Sequence, residues 1–247
     1  MKVLLTGPSG RIGPHLVAPF SARYDLKTFD LPGKGADFEG DLSAIEPLQG
    51  VRRAMQGVEI VVHLAGISDD APFVEQIVPG NVVGLFNTLE AARLEGVRRV
   101  VWASSVQAVG RNHNDRDLRI TPEDVPHPRN LYGVSKVWGE TLGRFYHDKH
   151  GLEFVAIRIG AFQPYDSDWL KRGVCEPIWL SPRDGAQIFE RAIETPGLGF
   201  LVVNATSRTS RPFLSLQSAR DALGYDPQDD TRDFYSPETF DRQNALK

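Results

Sequence analysis

"KVLLTGPSGRIG", residues 2–13, is the stretch whose reading decides the fold. Val3, Leu4 and Leu5 make a short apolar run that stops at Gly7, and glycine recurs at Gly10 and Gly13 before a helical pattern opens. Glycine at such a turn lets the backbone come close to a ligand, while the first turn of the helix offers unpaired N–H groups and a positive dipole end to an anion. A strand, a glycine turn and a helix in this order predict a dinucleotide site with its pyrophosphate on the turn.

Working outward, the same β-α rhythm repeats. "DLKTFD", "EIVVHLAG", "VRRVVWASS" and "LEFVAIRIG" follow as strands, their cores near-continuous Val, Ile and Leu rather than alternating. Strands covered on both faces read this way. Helical stretches at 73–94 and 132–150 are long enough to be crossovers, so the expected architecture is a doubly wound parallel α/β sheet. After Gly160 the rhythm breaks. Residues 161–176 are irregular, a helix follows with Ser181 as N-cap, Pro182 at its first position and Asp184 near the capping-box place, then comes the strand "LGFLVVNA". A last helix stops at Gly224, and a polar tail covers 226–247. The expected division is therefore 1–160 as the dinucleotide-binding part and 161–247 as a small cap packed on the sheet. One long polar connection, 110–130, ends immediately before Tyr132, and connections of this length are often functional.

Composition narrows the function classes. The chain has 247 residues, a net charge of −4 and one cysteine, Cys175. The acidic balance argues against a nucleic-acid partner, and Arg52-Arg53 and Arg98-Arg99 read as solvated surface. A lone cysteine leaves no internal disulfide or cysteine zinc framework, and His147 and His150, one turn apart, have no further ligand placed by the sequence, so no metal is expected. The absence of an apolar leader or a membrane-length run gives the expectation of a cytoplasmic protein.

Two features carry chemistry. Asp30 closes the second strand beyond the glycine turn, where a carboxylate accepts hydrogen bonds from ribose hydroxyls and repels a 2′-phosphate, which favours NAD over NADP even with Lys34 and Arg23 nearby. "GDLS" brings Asp41 and Leu42 as candidates beside the adenine. Tyr132 and Lys136, in "LYGVSK", lie one helical turn apart on one face, so the phenol and the ammonium can converge.

Together these motifs resemble the extended short-chain dehydrogenase/reductase family, the NAD-dependent epimerases/dehydratases. The matching pieces are "TGPSGRIG", "VVHLAG", "GNVVGLFNTLEAA", "VVWASSVQAVG" and "TPEDVPHPRNLYGVSK". The resemblance implies a Rossmann-type sheet with a small C-terminal substrate-binding cap. It implies NAD held by Gly7, Ser9, Gly10, Arg11, Ile12 and Gly13 of the first turn, by Asp30, Asp41 and Leu42, by Leu64, Ala65 and Gly66, and by Asn81. It further implies Tyr132 as general acid/base, Lys136 lowering its pKa while binding the nicotinamide ribose, and Ser105 holding the reacting oxygen. A phenol near pKa ~10 is a poor base at neutral pH unless nearby positive charge stabilises the phenolate.

Within the family the likeness runs toward uronate dehydrogenases. That likeness implies substrate contacts from Ser68 and from the pair after the serine, here Val106-Gln107, and a carboxylate held by an arginine of the irregular segment: Arg172, with Lys171 and Arg183 as alternates. The subgroup carries Asn-His where this chain has Val106-Gln107, and a serine where it has Ala161. The expected reaction is oxidation of a small sugar or sugar acid at its anomeric carbon. A nucleotide-sugar epimerase that retains NAD, and an NAD-binding redox sensor without catalysis, are the rivals. Family members often pair two long helices between subunits, so a homodimer through 73–94 and 132–150 is expected.

Overall fold

A computed structural model describes residues 1–44, 48–68, 71–110 and 119–234. Seven parallel strands form one sheet: β1 (Lys2–Thr6), β2 (Asp25–Asp30), β3 (Phe38–Glu39), β4 (Ile60–His63), β5 (Arg99–Ser105), β6 (Glu153–Ile159) and β9 (Phe200–Ala205), in the order β3-β2-β1-β4-β5-β6-β9. The central strands β1, β4 and β5 are largely apolar because both faces are covered, whereas the outer β2 is mixed, with Lys27 and Thr28. On one face α1 (Gly13–Arg23), α6 (Pro182–Glu194) and α7 (Gln217–Leu223) pack through Leu16, Phe20, Ile188, Phe189 and Leu223 onto Val3, Leu5 and Val101. On the other, α2 (Leu48–Met55), α3 (Gly84–Leu94) and α4 (Leu131–His150) set Val51, Leu85, Leu89 and Tyr146 against Leu4, Val61, Trp102 and Phe154. The chain leaves β1 toward β2 on one side and returns to β4 on the other, so the crevice at the carboxyl ends of β1 and β4 is the switch point where open α/β sheets bind ligands.

Several expectations need adjustment. The second crossover is continuous over 73–94, but Phe73–Val83 winds as a π-helix before α3 begins. Pro79 lies inside it, and a proline ring with no N–H cannot keep an α-helical i→i−4 bond. In the segment after Gly160, β9 extends the sheet, α6 and α7 cover it, and a small layer stands over the strand ends. That layer holds β7 (Ala161–Phe162) paired with β8 (Trp179–Leu180), and the one-turn α5 (Asp168–Lys171). Asp184 does not close a capping box. Ser181 Oγ accepts from Asp184 N, yet the Asp184 carboxylate accepts from Ser207 Oγ, Gln228 N and Asp229 N instead. Those bonds fold the first part of the supposed polar tail, since Asp229 also accepts from Tyr165 OH at 2.9 Å and pairs with Arg183. Residues 235–247 of that tail, and 111–118 of the long connection, lie outside the described residues. The short β3 and α2 were not foreseen.

Gly139 shows how closely α4 lies on the sheet: a Cβ there would stand 2.3 Å from the Trp102 ring and 2.8 Å from Leu85 Cδ2. Gly139→Ala is therefore expected to overpack this face, costing about 1–3 kcal/mol and lowering Tm by roughly 2–10 °C. Calorimetry showing an unchanged Tm contradicts the close packing.

Candidate active site

Two cavities of about 390 and 300 Å³ meet at the switch point and share Gly7, Gly10, Leu64, Gly66 and Ile67, so they form one trough. The larger half runs past Asp30, Leu31, Gly40, Asp41, Leu42 and Ala65. Its floor is backbone. Gly7 adopts φ +73°, and a Cβ there would sit 2.8 Å from Ala65 N; a Cβ on Gly13 would sit 2.4 Å from Pro8 O. Ser9 N and Ser9 Oγ both donate to Asp30 Oδ2, at 2.9 and 2.7 Å, which ties the glycine turn to the end of β2. Asp41 accepts from Ser43 N and Oγ, holding the next turn. A side-chain-free turn at a helix N-terminus, an acidic group one strand away and an apolar slot at Leu42 fit a dinucleotide with its adenosine in this half.

The smaller half holds Ser105, Tyr132 and Lys136. Asn130 Oδ1 accepts from Gly133 N at 2.7 Å and starts α4, so Tyr132 and Lys136 are the second and sixth residues of a well-capped helix. Both line the cavity, with Ser105 at the end of β5 opposite. Lys136 Nζ is buried, donates to Ala103 O at 2.8 Å, and stands 5.3 Å from the Tyr132 ring centroid and 4.7 Å from that of Trp102. Ser105 Oγ accepts from Gln107 N at 3.1 Å. That bond occupies a lone pair and leaves the hydroxyl proton to be donated elsewhere.

The electrostatics below this set are those of a dry interior. Burial holds the Lys136 ammonium down, to about 8 from an ordinary 10.5, and Glu140 opposes the shift. Glu140, one turn further along α4, is itself buried and accepts from Arg158 Nε and Nη2 at 2.8 Å each and from Ser104 Oγ at 2.7 Å. This bidentate pair cancels the charges that would otherwise sit unpaired beneath the site. His63, hydrogen-bonded to Thr6 Oγ1 at 2.7 Å, is lowered to about 3 by burial and then by Lys136, which favours its neutral form.

The residues expected from the sequence divide into three groups. Gly7, Ser9, Gly10, Arg11, Ile12, Asp30, Asp41, Leu42, Leu64, Ala65, Gly66, Ser68, Ser105, Val106, Gln107, Tyr132 and Lys136 all line the trough. Gly13 and Asn81 stand behind its wall. Gly13 has no room for a side chain, and buried Asn81 accepts from Ile67 N and donates to Ile67 O and Ser135 Oγ, fixing the loop that carries Ser68. Arg172 and Lys171, at the end of α5, are exposed and do not line the cavity; Arg183 pairs with Asp229. Trp169, Cys175 and Ile178 line the cavity without having been foreseen, since the irregular segment has no periodicity to place them, and Gln163 joins them from the 160–164 turn that the family resemblance sets against the nicotinamide. The Glu140–Arg158 pair left a readable signal: a lone arginine inside "EFVAIRI" has to find a carboxylate.

A glycine turn at the switch point and a Ser-Tyr-Lys set at the far end of one trough define a dinucleotide-dependent enzyme. Residues 3–163 match the model of the NAD dependent epimerase/dehydratase family, and the chain belongs to that family. Its cofactor is NAD. Over 94% of this chain and 95% of the relative, it is 35% identical to an NAD-dependent glucose-6-phosphate dehydrogenase of Haloferax volcanii. A uronate dehydrogenase of Pseudomonas putida is 33% identical over 94% of this chain and 86% of its own length. Among solved structures, a mutant uronate dehydrogenase of Agrobacterium tumefaciens complexed with NAD superposes with a TM-score of 0.82 at 31% identity, covering 99% of this chain and 89% of that one.

Lys136 links the site to stability. Below pH 8 the folded chain carries a buried charge, and between about 8 and 10.5 the unfolded chain holds a proton that the folded chain has released. The resulting penalty is complete below pH 8 and fades as pH rises to 10.5. Lys136→Met removes it, so the Tm difference, variant minus wild type, is expected to be highest below pH 8 and to decline toward pH 10.5. A difference independent of pH in calorimetric scans contradicts the burial of this charge.

Proposed function

We propose that the chain is a sugar dehydrogenase that oxidises the anomeric CH–OH of a small cyclic sugar or sugar acid to a lactone, in the manner of the uronate dehydrogenases it resembles. The observation that carries this reading is the convergence of Tyr132, Lys136 and Ser105 on one cavity, with Lys136 Nζ 5.3 Å from the phenol ring centroid. Ser105 donates its free hydroxyl proton to the reacting oxygen and orients it. Tyr132 removes that oxygen's proton, and the Lys136 ammonium stabilises the phenolate. NAD, when bound, would supply the hydride acceptor beside the anomeric carbon. As the hydride leaves, the oxygen's electron pair closes onto carbon to form the lactone carbonyl, and the proton passes from Tyr132 to solvent.

The walls suit this chemistry. Leu64, Ile67, Ile159 and Ile178 give the cavity an apolar lining, and Lys136, which lines it too, is held by one backbone carbonyl. The buried lone Cys175, its thiol pushed up to about 12 by burial, suits a reducing cytoplasmic compartment. Leu131, Val134 and Phe145 are exposed along one face of α4, and Phe86 is exposed on the adjacent α3, which suits a homodimer formed through these helices. Light scattering on the eluting protein is expected to give twice the chain mass, and Phe145→Lys to shift it toward the monomer.

The reaction is tested with Tyr132→Phe. A general base contributes typically 10²–10⁴-fold, so NADH formation from the best sugar of a panel is expected to fall by about that factor. Binding of NAD, read by calorimetry, is expected to be retained. Equal turnover by the variant rules out the proposed base, and interconversion of nucleotide sugars without net NADH points to the epimerase instead.

A further inference from the structure

Accepting that a sugar is oxidised in this cavity, the chemistry of its outer wall narrows which sugar. Arg11 and Lys136 are the charged residues that line the cavity among the described ones, the first on the dinucleotide turn and the second beneath Tyr132. The remaining wall, toward the cap, is made of Ser68, Gln107, Phe162, Gln163, Trp169 and Ile178, together with small apolar neighbours. It contains amides, a hydroxyl and aromatic surface.

The two amides are set up differently and both face a ligand. The Gln107 side chain is half-buried and has no hydrogen-bond partner among the described residues, so one donor pair and one acceptor remain for whatever fills the cavity. Gln163 is pinned at three points: its N donates to Leu180 O, its carbonyl accepts from Trp179 Nε1 at 2.9 Å, and its Oε1 accepts from Ser167 Oγ at 2.8 Å. With Oε1 taken, the Gln163 amide presents its N–H donors. Trp169, on α5, keeps more than half its surface exposed while lining the same cavity. A broad indole face in such a place suits the apolar C–H face of a sugar ring.

The basic residues that would meet an anion are spent or displaced. Arg183 pairs with Asp229, and Arg172 and Lys171 are exposed at the end of α5 and do not line the cavity. A carboxylate or phosphate at this wall would meet amides, the Ser68 hydroxyl and carbon but no cation among its described residues, which is costly for an unpaired charge. A hydroxyl is met by a matching donor and acceptor at the same place.

We infer that the substrate is an uncharged aldopyranose rather than a sugar acid or sugar phosphate, its hydroxyls read by Gln107 and Gln163 and its ring face covered by Trp169. Gln163 and Trp169 act by binding and orientation, at a distance from the proton transfer at Tyr132. Because Gln163 is fastened by its neighbours, its donors are fixed in direction, and a site built to hydrogen-bond a hydroxyl discriminates strongly against analogues that lack it.

The test reads binding and turnover separately. Calorimetry with NADH-loaded protein compares glucose, galactose, arabinose and xylose with glucuronate, galacturonate and glucose 6-phosphate, and NADH formation is then followed with the same panel. The expected result is that at least one neutral aldose binds and turns over with kcat/KM at least about a hundredfold above every anionic sugar. Trp169→Ala and Gln163→Leu are expected to raise KM for that aldose about tenfold with kcat nearly held, as for lost uniform binding. Gln107→Arg is expected to raise the ratio of uronate to aldose binding, and it keeps the test open if Gln163→Leu fails to fold. Tighter binding of any anionic sugar by the wild type overturns the inference, as does a collapse of sugar binding in Arg172→Ala. A neutral aldose that binds without forming NADH upholds the inference and rejects the proposed reaction; a panel in which nothing binds rejects the inference.

Discussion

The trough depends first on the meeting of Gly7 with the backbone after β4. Thr6 pairs with His63 across the two central strands, and the chain then turns at Gly7 with φ +73°, so tightly that a Cβ would lie 2.8 Å from Ala65 N and 2.9 Å from Ala65 Cα. Any other residue would need both a left-handed conformation and space that Ala65 occupies. This contact brings the carboxyl ends of β1 and β4 together and aims the N-terminus of α1 along the trough. The dinucleotide half follows from it, since Ser9 and Asp30 can then close the turn onto β2.

The reacting half depends on burial that is made tolerable by pairing. Lys136, Glu140 and Arg158 bring two positive charges and one negative charge into a region with little access to water. Arg158 and Glu140 satisfy each other through two bonds, and Ser104 takes a third position on the carboxylate. Lys136 is left with one carbonyl and the faces of two aromatic rings, which is why its ammonium is easier to deprotonate than an exposed one. An amine with its charge held at such cost gains when a phenolate forms beside it. The neutral His63 adds no competing charge. The same β5 strand supplies Ala103 as acceptor for the lysine, Ser104 for the carboxylate and Ser105 for the cavity, three successive residues serving three levels of one site.

What the sequence made legible follows from how local each signal is. The strand-turn-helix order at Thr6–Gly13, the apolar strand cores and the i,i+4 spacing of Tyr132 and Lys136 depend on near neighbours, and they hold in the three-dimensional arrangement. The π-helical winding at Phe73–Val83 was hidden because an apolar, helix-length pattern looks the same in either winding, although Pro79 marked the place. Asp184 was read through a local capping rule, while its actual partners, Ser207, Gln228 and Asp229, come from distant sequence. The placement of Arg172 failed to be legible for the same reason. Nothing within a few residues of it reveals that α5 lasts a single turn and leaves Arg172 exposed.

The cap shows how a segment without periodicity can still build a rigid wall. Buried Glu176 accepts from Ser210 N, Ser210 Oγ, Arg211 N and Thr231 Oγ1, tying the loop after β9 to the segment before β8. Asp229 and Asp184 repeat the device on the other flank, gathering Ser181, Tyr165, Arg183 and Ser207. Each carboxylate replaces a stretch of regular secondary structure as the element that orders the chain, because several donors converging on one buried anion satisfy it at the expense of loop entropy. Gly160 then joins cap to sheet: its N donates to Ala205 O, and a Cβ there would stand 2.0 Å from Ile178 O. With that junction closed, the Gln163 backbone has one position relative to Tyr132. This wall of the cavity is thus fixed by acidic residues that do not line it.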